Sequence, residues 1–320
     1  MSIERSQAVD LLKGVMIILV VAGHVPAPTG NFWIPLFQEC LYMFHMPAFF
    51  ILGSLYLKSF KKELISAIPL LVCYVFWVVL HRRDLDIAAQ VIIYSNWNTL
   101  KSILWFLPAI ISFKLLLSFQ PKNTYWRIGV LGLLGFCSIL FHNQLQVAHQ
   151  YIPWGLDIAF YLIPIALIAK FHFDFEMPRT IMAISDMQKY VLFTIIFLIF
   201  SILFFIRVPL NTFTVWQHRL DLAQFSVPSF EGYFYLTFMM LAMIGIAKIK
   251  VEKNIISFIG RKSLSIFIFH LLVIELIKKY LFPVDNIFTW ALVIIVSIIL
   301  CMSISTVLLK ISRQFRYIGA

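Results

Sequence analysis

Residues 287–309 read IFTWALVIIVSIILCMSISTVLL, 23 positions without one charged side chain. An α-helix rises about 1.5 Å per residue, so this stretch is long enough to cross the roughly 30 Å hydrocarbon layer of a bilayer. Backbone N–H and C=O groups that face lipid must be satisfied within the segment, which favours a helix over any open structure. The stretch therefore predicts a helix that spans a membrane.

The rest of the chain has the same character. Of its 320 residues, 61% are hydrophobic and 13% are charged. Soluble proteins are about 45–50% apolar and about 25% charged, so a water-soluble globule is excluded. At about 20 residues per span there is room for roughly ten helices joined by short loops. We therefore expect one integral membrane domain over residues 1–320, with no appended soluble domain.

Eleven apolar runs divide the chain. The run at 88–100 contains Gln90, Asn96 and Asn98 and is too short to cross, so we expect an interfacial or re-entrant segment there. Ten spans remain, which predicts an all-α polytopic helix bundle with both termini on one side. The first run continues past Val25 without a small-residue cleavage site, so it is predicted to be a span and not a signal peptide. The runs are 8–28, 36–57, 64–80, 88–100, 103–119, 127–141, 153–170, 190–207, 230–247, 263–280 and 287–309.

The charge of the chain indicates its orientation. It has 26 Lys+Arg against 15 Asp+Glu, a net charge of +11 that in a soluble protein would suggest nucleic acid. In a polytopic protein, basic residues collect in cytoplasmic loops. With a cytoplasmic N-terminus, eighteen basic residues fall in inside segments, seven fall in outside segments, and Lys114 lies inside a span. The sequence thus predicts N-in and C-in topology, and no nucleic-acid partner.

Cys40, Cys73, Cys137 and Cys301 lie inside apolar runs without metal-type spacing. Small buried hydrophobic residues are the simpler interpretation, and no metal site is expected.

Polar residues in the first span lie on one helix face. Lys13 and His24 are eleven positions apart, which gives a net rotation of about 20° and a rise of about 16 Å. Asp10 precedes Lys13 by one turn and can pair with it. Lys13 alone would be a snorkelling residue at a span end.

Two further spans each carry a histidine. His45 precedes Pro47, a residue that kinks a helix, and Gln38 lies on the same face as His45 seven positions earlier. His270 has Ser263 seven positions before it. A single buried histidine is more often a packing residue than a catalyst, but three on different spans favour a functional cluster as much as a structural role.

Two other features have a structural and a functional interpretation. Trp105, followed by Pro108, opens a span with an aromatic group and a predicted kink, and would otherwise belong to an interfacial belt. Residues Lys248 to Lys262 are predicted to form a basic loop, which the positive-inside rule explains, but its charge density also suits a polyphosphate ligand, with Arg261 and Lys262 as candidate contacts.

Together these residues suggest group transfer across the bilayer. A neutral imidazole can take a proton from a hydroxyl near neutral pH, and a lysine nearer the cytosol suits a phosphate-bearing donor. The same histidines could instead form the proton relay of a transporter or lipid-linked sugar flippase. A structural subunit of a polysaccharide assembly complex is a third possibility.

Four segments, in order along the chain, resemble the acyltransferase-3 family of integral membrane O-acyltransferases. They are Arg5 through Lys13 to His24 with its basic-x10-His spacing, Phe44-His45-Met46-Pro47, Leu104-Trp105-Phe106-Leu107-Pro108, and Gly260-Arg261-Lys262-Ser263 leading to His270. The short form of the chain is similar to sugar O-acetyltransferases of the fucose 4-O-acetylase group, which modify bacterial surface polysaccharides.

The resemblance implies an acetyl-CoA donor contacted by Lys13, with His24 as the essential base or acyl-relaying residue. His45 and His270 would help to build the pocket. Many members have arginines where this chain has Lys61 and Lys62, and an ammonium group cannot make the bidentate phosphate contact of a guanidinium. Direct transfer and a covalent acetyl-histidine are both compatible with the sequence. The predicted site therefore combines catalytic histidines (His24, His45, His270), coenzyme contacts (Lys13, Lys61, Lys62, Arg261, Lys262) and pocket residues (Asp10, Gln38, Trp105, Ser263).

Overall fold

The computed structural model describes residues 7–82, 85–94, 103–119, 153–174, 184–207 and 230–311, together with a few positions between 129 and 137 and residue 181. Within these ranges every regular element is a helix and none is a strand. The predicted all-α class is confirmed. Nine of the fifteen residues of the predicted span at 127–141 lie outside the described residues.

The helices follow the apolar runs. Short 3₁₀ turns, Ile103–Trp105 and Pro153–Gly155, lead into the fifth and sixth helices. Of the predicted interfacial run at 88–100, residues 88–94 belong to the helix Leu85–Tyr94 and the rest lies outside the described residues. The helices are α1 (Gln7–His24), α2 (Trp33–Ser54), α3 (Phe60–Arg82), α4 (Leu85–Tyr94), α5 (Phe106–Ser118), α6 (Leu156–Asp174), α7 (Asp186–Arg207), α8 (Phe230–Ala247), α9 (Ile255–Arg261), α10 (Ser263–Tyr280) and α11 (Ile287–Ile311).

Several of these helices can cross a membrane. Four are long and apolar enough among the described residues: Gln7–His24, Phe60–Leu80, Asp186–Leu203 and Ile287–Lys310. Helices α9 and α10 meet at a bend of 84° and together would make a fifth span. Because unpaired backbone groups are excluded from lipid, this number of apolar helices makes the chain a multi-pass membrane protein.

The chain forms two compact units. The first comprises residues 1–49 and 247–320, and the second comprises residues 50–246. The first unit is therefore built from both ends of the sequence, and helix α2 runs from it into the second.

A close helix crossing organises the first unit. A Cβ atom on Gly14 of α1 would overlap the carbonyl oxygen of Ile256, and one on Gly260 of α9 would overlap that of Asp10. Only glycine lets two backbones approach this closely. The crossing fixes α9 against the N-terminal half of α1.

Helix α9 corrects the expectation of a basic loop over 248–262, since the second half of that segment is helical. Its start is stabilised by a capping box: the Ser257 N–H donates to the Asn254 side chain at 2.8 Å, and the Asn254 N–H donates to the Ser257 hydroxyl at 3.1 Å. Arg261 ends α9, and Lys262 connects it to α10.

In the second unit, a buried ion pair joins α3 and α5. The ammonium group of Lys114 lies 2.8 Å from the Glu63 carboxylate, which is 1% exposed. The backbone N–H of Lys58 donates to the same carboxylate at 2.8 Å. The apolar residues around Lys114 gave no sign of this partner, which lies 51 positions earlier in the chain.

Candidate functional site

Helix α1 ends at His24. Val25 is buried and is followed by Pro26, whose ring disfavours a helical conformation for the residue before it and which has no N–H to continue the ladder. The helix therefore ends four residues before the end of the predicted 8–28 span, and His24 is its last residue, half-buried.

His24 lies against His270 of α10. The centroids of the two imidazoles are 5.1 Å apart and their planes are inclined by 47°. His270 is completely buried. Two of the three predicted catalytic histidines, 246 positions apart in the chain, thus meet within the first unit; their catalytic role stays a prediction.

The backbone determines which nitrogen of His270 carries the proton. Its Nδ1 lies 2.7 Å from the Phe267 carbonyl oxygen and 3.1 Å from that of Ile266. Carbonyl oxygens only accept, so Nδ1 is the donor and Nε2 carries the lone pair. This Nε2 is buried and has no hydrogen-bond partner among the described residues. It is therefore available to accept a hydrogen bond from a bound hydroxyl.

His45 belongs to the same cluster. It is buried in α2, where its Nδ1 lies 2.5 Å from the Leu41 carbonyl oxygen. It lies within electrostatic range of both His24 and His270. The three histidines therefore form one group, with a backbone carbonyl orienting the rings of His45 and His270.

Gln38 and Trp290 contact the end of α1. The Gln38 side-chain nitrogen donates to the Ala22 carbonyl at 3.0 Å and to the Val25 carbonyl at 2.7 Å. The Trp290 indole N–H donates to Val25 at 3.2 Å. Gln38 was expected in the substrate pocket; its amide nitrogen instead faces the backbone beside His24, and a contact with substrate stays a prediction.

The cationic candidates of the first unit share the other end of α1. Lys13 precedes Gly14, where α9 crosses, and Arg261 donates from Nη1 to the Gln7 side chain at 3.3 Å. Lys262 lies beside Arg261 and donates to the Ser305 hydroxyl of α11 at 3.4 Å. The crossing therefore brings together charges that are about 250 positions apart in the sequence.

Asp10 and Ser263 lie in the same region. Asp10 is 1% exposed, beneath the backbone of Gly260, and Ser263 is the half-buried first residue of α10. The predicted pairing of Asp10 with Lys13 stays a prediction.

The other candidates belong to the second unit. Lys61 and Lys62 are exposed in the first turn of α3. Trp105 is buried and meets the ring of Phe106 edge-on, with centroids 6.1 Å apart. Pro108 lies in the first turn of α5, where its missing N–H would have no partner in the helix, so the predicted kink is not required.

Ser297 is not among the site residues predicted from the sequence. Its hydroxyl is buried and has no hydrogen-bond partner among the described residues. The contact between Lys262 and Ser305 sets the register of α10 against α11, and eight residues further along each antiparallel helix are His270 and Ser297. A serine in an apolar helix commonly bonds its own backbone, so the sequence offered no reason to select this one.

The family model of the acyltransferase-3 family, described as an acyltransferase domain, matches residues 6–306. The chain belongs to this family. It is an acyltransferase, and the matched region contains every candidate residue described above.

Two curated proteins are similar to parts of this acyltransferase, and both are described as nodulation protein NolL. The one from Sinorhizobium fredii is 35% identical over 89 residues, 24% of either chain. The one from Mesorhizobium japonicum is 26% identical over 179 residues, which is 51% of this chain and 43% of the relative. The matched segments thus span less than half of each relative. No solved structure matches the chain.

Proposed function

We propose that this acyltransferase moves an acetyl group from cytosolic acetyl-CoA to a sugar hydroxyl of a bacterial surface polysaccharide or its lipid-linked precursor. The observation that carries the proposal is the pair of imidazoles of His24 and His270, 5.1 Å apart, in a membrane protein of an acyltransferase family. A neutral imidazole beside a second one with an unused Nε2 suits activation of a hydroxyl.

The transfer needs one proton acceptor and one leaving group. In direct transfer, the acceptor hydroxyl gives its proton to His24, its oxygen bonds to the thioester carbonyl carbon, and the carbon–sulfur bond breaks to release coenzyme A. In the alternative route the His24 nitrogen bonds to the thioester carbonyl carbon and the carbon–sulfur bond breaks to release coenzyme A. The acceptor oxygen then bonds to the same carbon as the carbon–nitrogen bond breaks, and the hydroxyl proton passes to the imidazole. Both routes place His24 at the reacting carbonyl.

The charges of the first unit fit an anionic donor. Lys13, Arg261 and Lys262 lie toward the same end of α1, and the Arg261 guanidinium can bind phosphate oxygens in bidentate fashion. Lys13 and His24 are separated by a rise of about 16 Å along α1. Such a separation suits a substrate whose phosphates and reactive thioester are at opposite ends. Lys61 and Lys62 are proposed as further coenzyme contacts.

The proposed topology places the Lys13 end of α1 on the cytoplasmic side and the His24 end toward the other side. Ten spans with both termini in the cytoplasm put Lys13 and Arg261 where acetyl-CoA is present and His24 toward the opposite face. The support is the distribution of basic residues, eighteen inside against seven outside. We propose the bacterial inner membrane as the location.

The decisive test is His24→Ala, compared with His172→Ala as a histidine control in the second unit. Purified variants in lipid nanodiscs receive labelled acetyl-CoA, and the acetate content of the polysaccharide is measured in strains with each variant. We expect His24→Ala to abolish both signals while the protein stays folded, and His172→Ala to keep them. Normal polysaccharide acetate in the His24→Ala strain would contradict the proposal. Lipid-linked sugar flipping without acetyl-CoA would instead support a flippase.

A further inference from the structure

We propose that Gln38 and Trp290 are positioning residues that hold the backbone on both sides of His24. The inference rests on the proposed role of His24 as the reacting imidazole. It assigns to Gln38 a different task from the substrate contact expected from the sequence.

The carbonyl of Ala22 has lost its usual donor within α1. In an α-helix the carbonyl of Ala22 would accept from the N–H of residue 26, but residue 26 is proline and has none. The Gln38 side chain donates to this carbonyl at 3.0 Å. Gln38 therefore supplies, from α2, the hydrogen bond that Pro26 removes from α1.

The Val25 carbonyl, just beyond the end of α1, is also held by side-chain donors. The Val25 carbonyl accepts two hydrogen bonds, from Gln38 at 2.7 Å and from the Trp290 indole at 3.2 Å. A carbonyl oxygen has two lone pairs, so the two donors can be accommodated together. Both hydrogens of the Gln38 amide are then engaged, one on each side of His24.

The two donors also support each other. Phe37, adjacent to Gln38, meets the Trp290 ring edge-on with centroids 6.3 Å apart. Trp290 lies in the first turn of α11, and Gln38 in the first half of α2. Elements from two helices thus fix the position at which α1 ends and hence the direction of the His24 side chain.

The expected effect is on turnover. A displacement of about 1 Å at a reacting group can lower a rate by about a hundredfold, whereas substrate affinity depends on other contacts. Loss of the hydrogen-bonding partners that orient metal-ligating histidines commonly costs about 10–100-fold in activity, and we expect a loss of the same order for His24. A positioning role therefore predicts a fall in kcat with little change in KM.

The experiment uses two variants that remove a hydrogen-bond donor and keep the size of the side chain, Gln38→Met and Trp290→Phe. The matched controls are Gln90→Met and Trp33→Phe, at positions exposed in the fold. Acetyl transfer gives kcat and KM for donor and acceptor, and amide hydrogen exchange by mass spectrometry follows the peptide around residues 20–30. We expect kcat to fall by about 10–100-fold in both donor variants, KM to stay within about twofold, and exchange to rise in that peptide.

A kcat equal to that of the wild-type protein in the two donor variants would overturn the proposal. A raised KM for the acceptor at unchanged kcat would also overturn it, because it would show that Gln38 contacts substrate. Hydrogen exchange needs no substrate, so it tests the hydrogen bonds of Gln38 and Trp290 independently of the proposed acetyl transfer. If the wild-type protein does not use acetyl-CoA, faster exchange around His24 in the variants still supports the hydrogen bonds, and unchanged exchange overturns them. If Gln38→Met does not fold, Trp290→Phe alone decides by the same criteria.

Discussion

At the level of single residues, hydrogen bonds to the backbone determine what the histidines can do. His45 and His270 each present Nδ1 to a carbonyl oxygen in their own helix. Both nitrogens must therefore carry the proton, which leaves each Nε2 as the basic nitrogen. The helices thus fix the tautomer of each ring before a substrate binds.

Ser297→Ala and Ser257→Ala are a matched pair of buried serines with opposite expected effects on stability. The Ser297 hydroxyl has no partner among the described residues, so its removal should leave the melting temperature unchanged or raise it. Ser257→Ala removes the hydroxyl that accepts from the Asn254 N–H in the capping box of α9 and should cost about 1 kcal/mol. Thermal unfolding in detergent measures both. A large loss of stability in Ser297→Ala would show that its hydroxyl is bonded.

At the level of helices, the crossing of α1 and α9 depends on two glycines. Gly14→Ala or Gly260→Ala would drive a methyl group into a backbone carbonyl, which cannot move aside as a side chain can. We expect either variant to separate the helices and lose acetyl transfer together with folded protein. Gly53→Ala is the control, since its Cβ would meet only the Ile110 side chain at 3.5 Å. Folded yield from size-exclusion chromatography and transfer rate are the measurements, and normal values for both glycine variants would contradict the crossing.

The ion pair between α3 and α5 makes a separate prediction. Lys114→Met leaves the buried Glu63 carboxylate without its cation and should lower the stability by about 3–5 kcal/mol. Lys170→Met removes a more exposed pair with Asp174 and should cost at most about 1 kcal/mol. Denaturant titration of the two variants compares these losses. Equal losses would mean that the Glu63 carboxylate is hydrated.

Helices bounded by a clear change of polarity could be predicted from the sequence. The predicted run 263–280 coincides with α10, and 230–247 coincides with α8. Helix α9 could not, because seven residues give less than two turns of periodicity and the segment is basic. The positions of the three histidines on separate spans favoured a functional cluster as much as a structural role. The pairing of His24 with His270 depends on the α1–α9 crossing, which hydropathy does not encode.

For the whole molecule, the proposed topology can be tested by labelling. In a variant with the four native cysteines replaced by alanine, Arg219→Cys lies in a predicted outer loop and Lys250→Cys in a predicted cytoplasmic one. A membrane-impermeant maleimide added to intact cells or spheroplasts should label Arg219→Cys alone, because the positive-inside rule places Lys250 in the cytosol. Labelling of Lys250→Cys under the same conditions would show that the topology is the opposite of the proposed one.

The first unit, composed of residues from both ends of the chain, has a consequence for biosynthesis. His24 and His45 enter the membrane early, and His270 is synthesised 246 residues after His24. At about 5–20 residues per second, the ribosome needs about 12–50 s to deliver it. During that interval His24 and His45 lie in the membrane without His270, and polar side chains that face lipid carry a free-energy cost. Nascent chains that lack α10 still expose these unpaired polar groups to lipid. They are therefore the form of this protein that depends most on the insertion and quality-control machinery of the membrane.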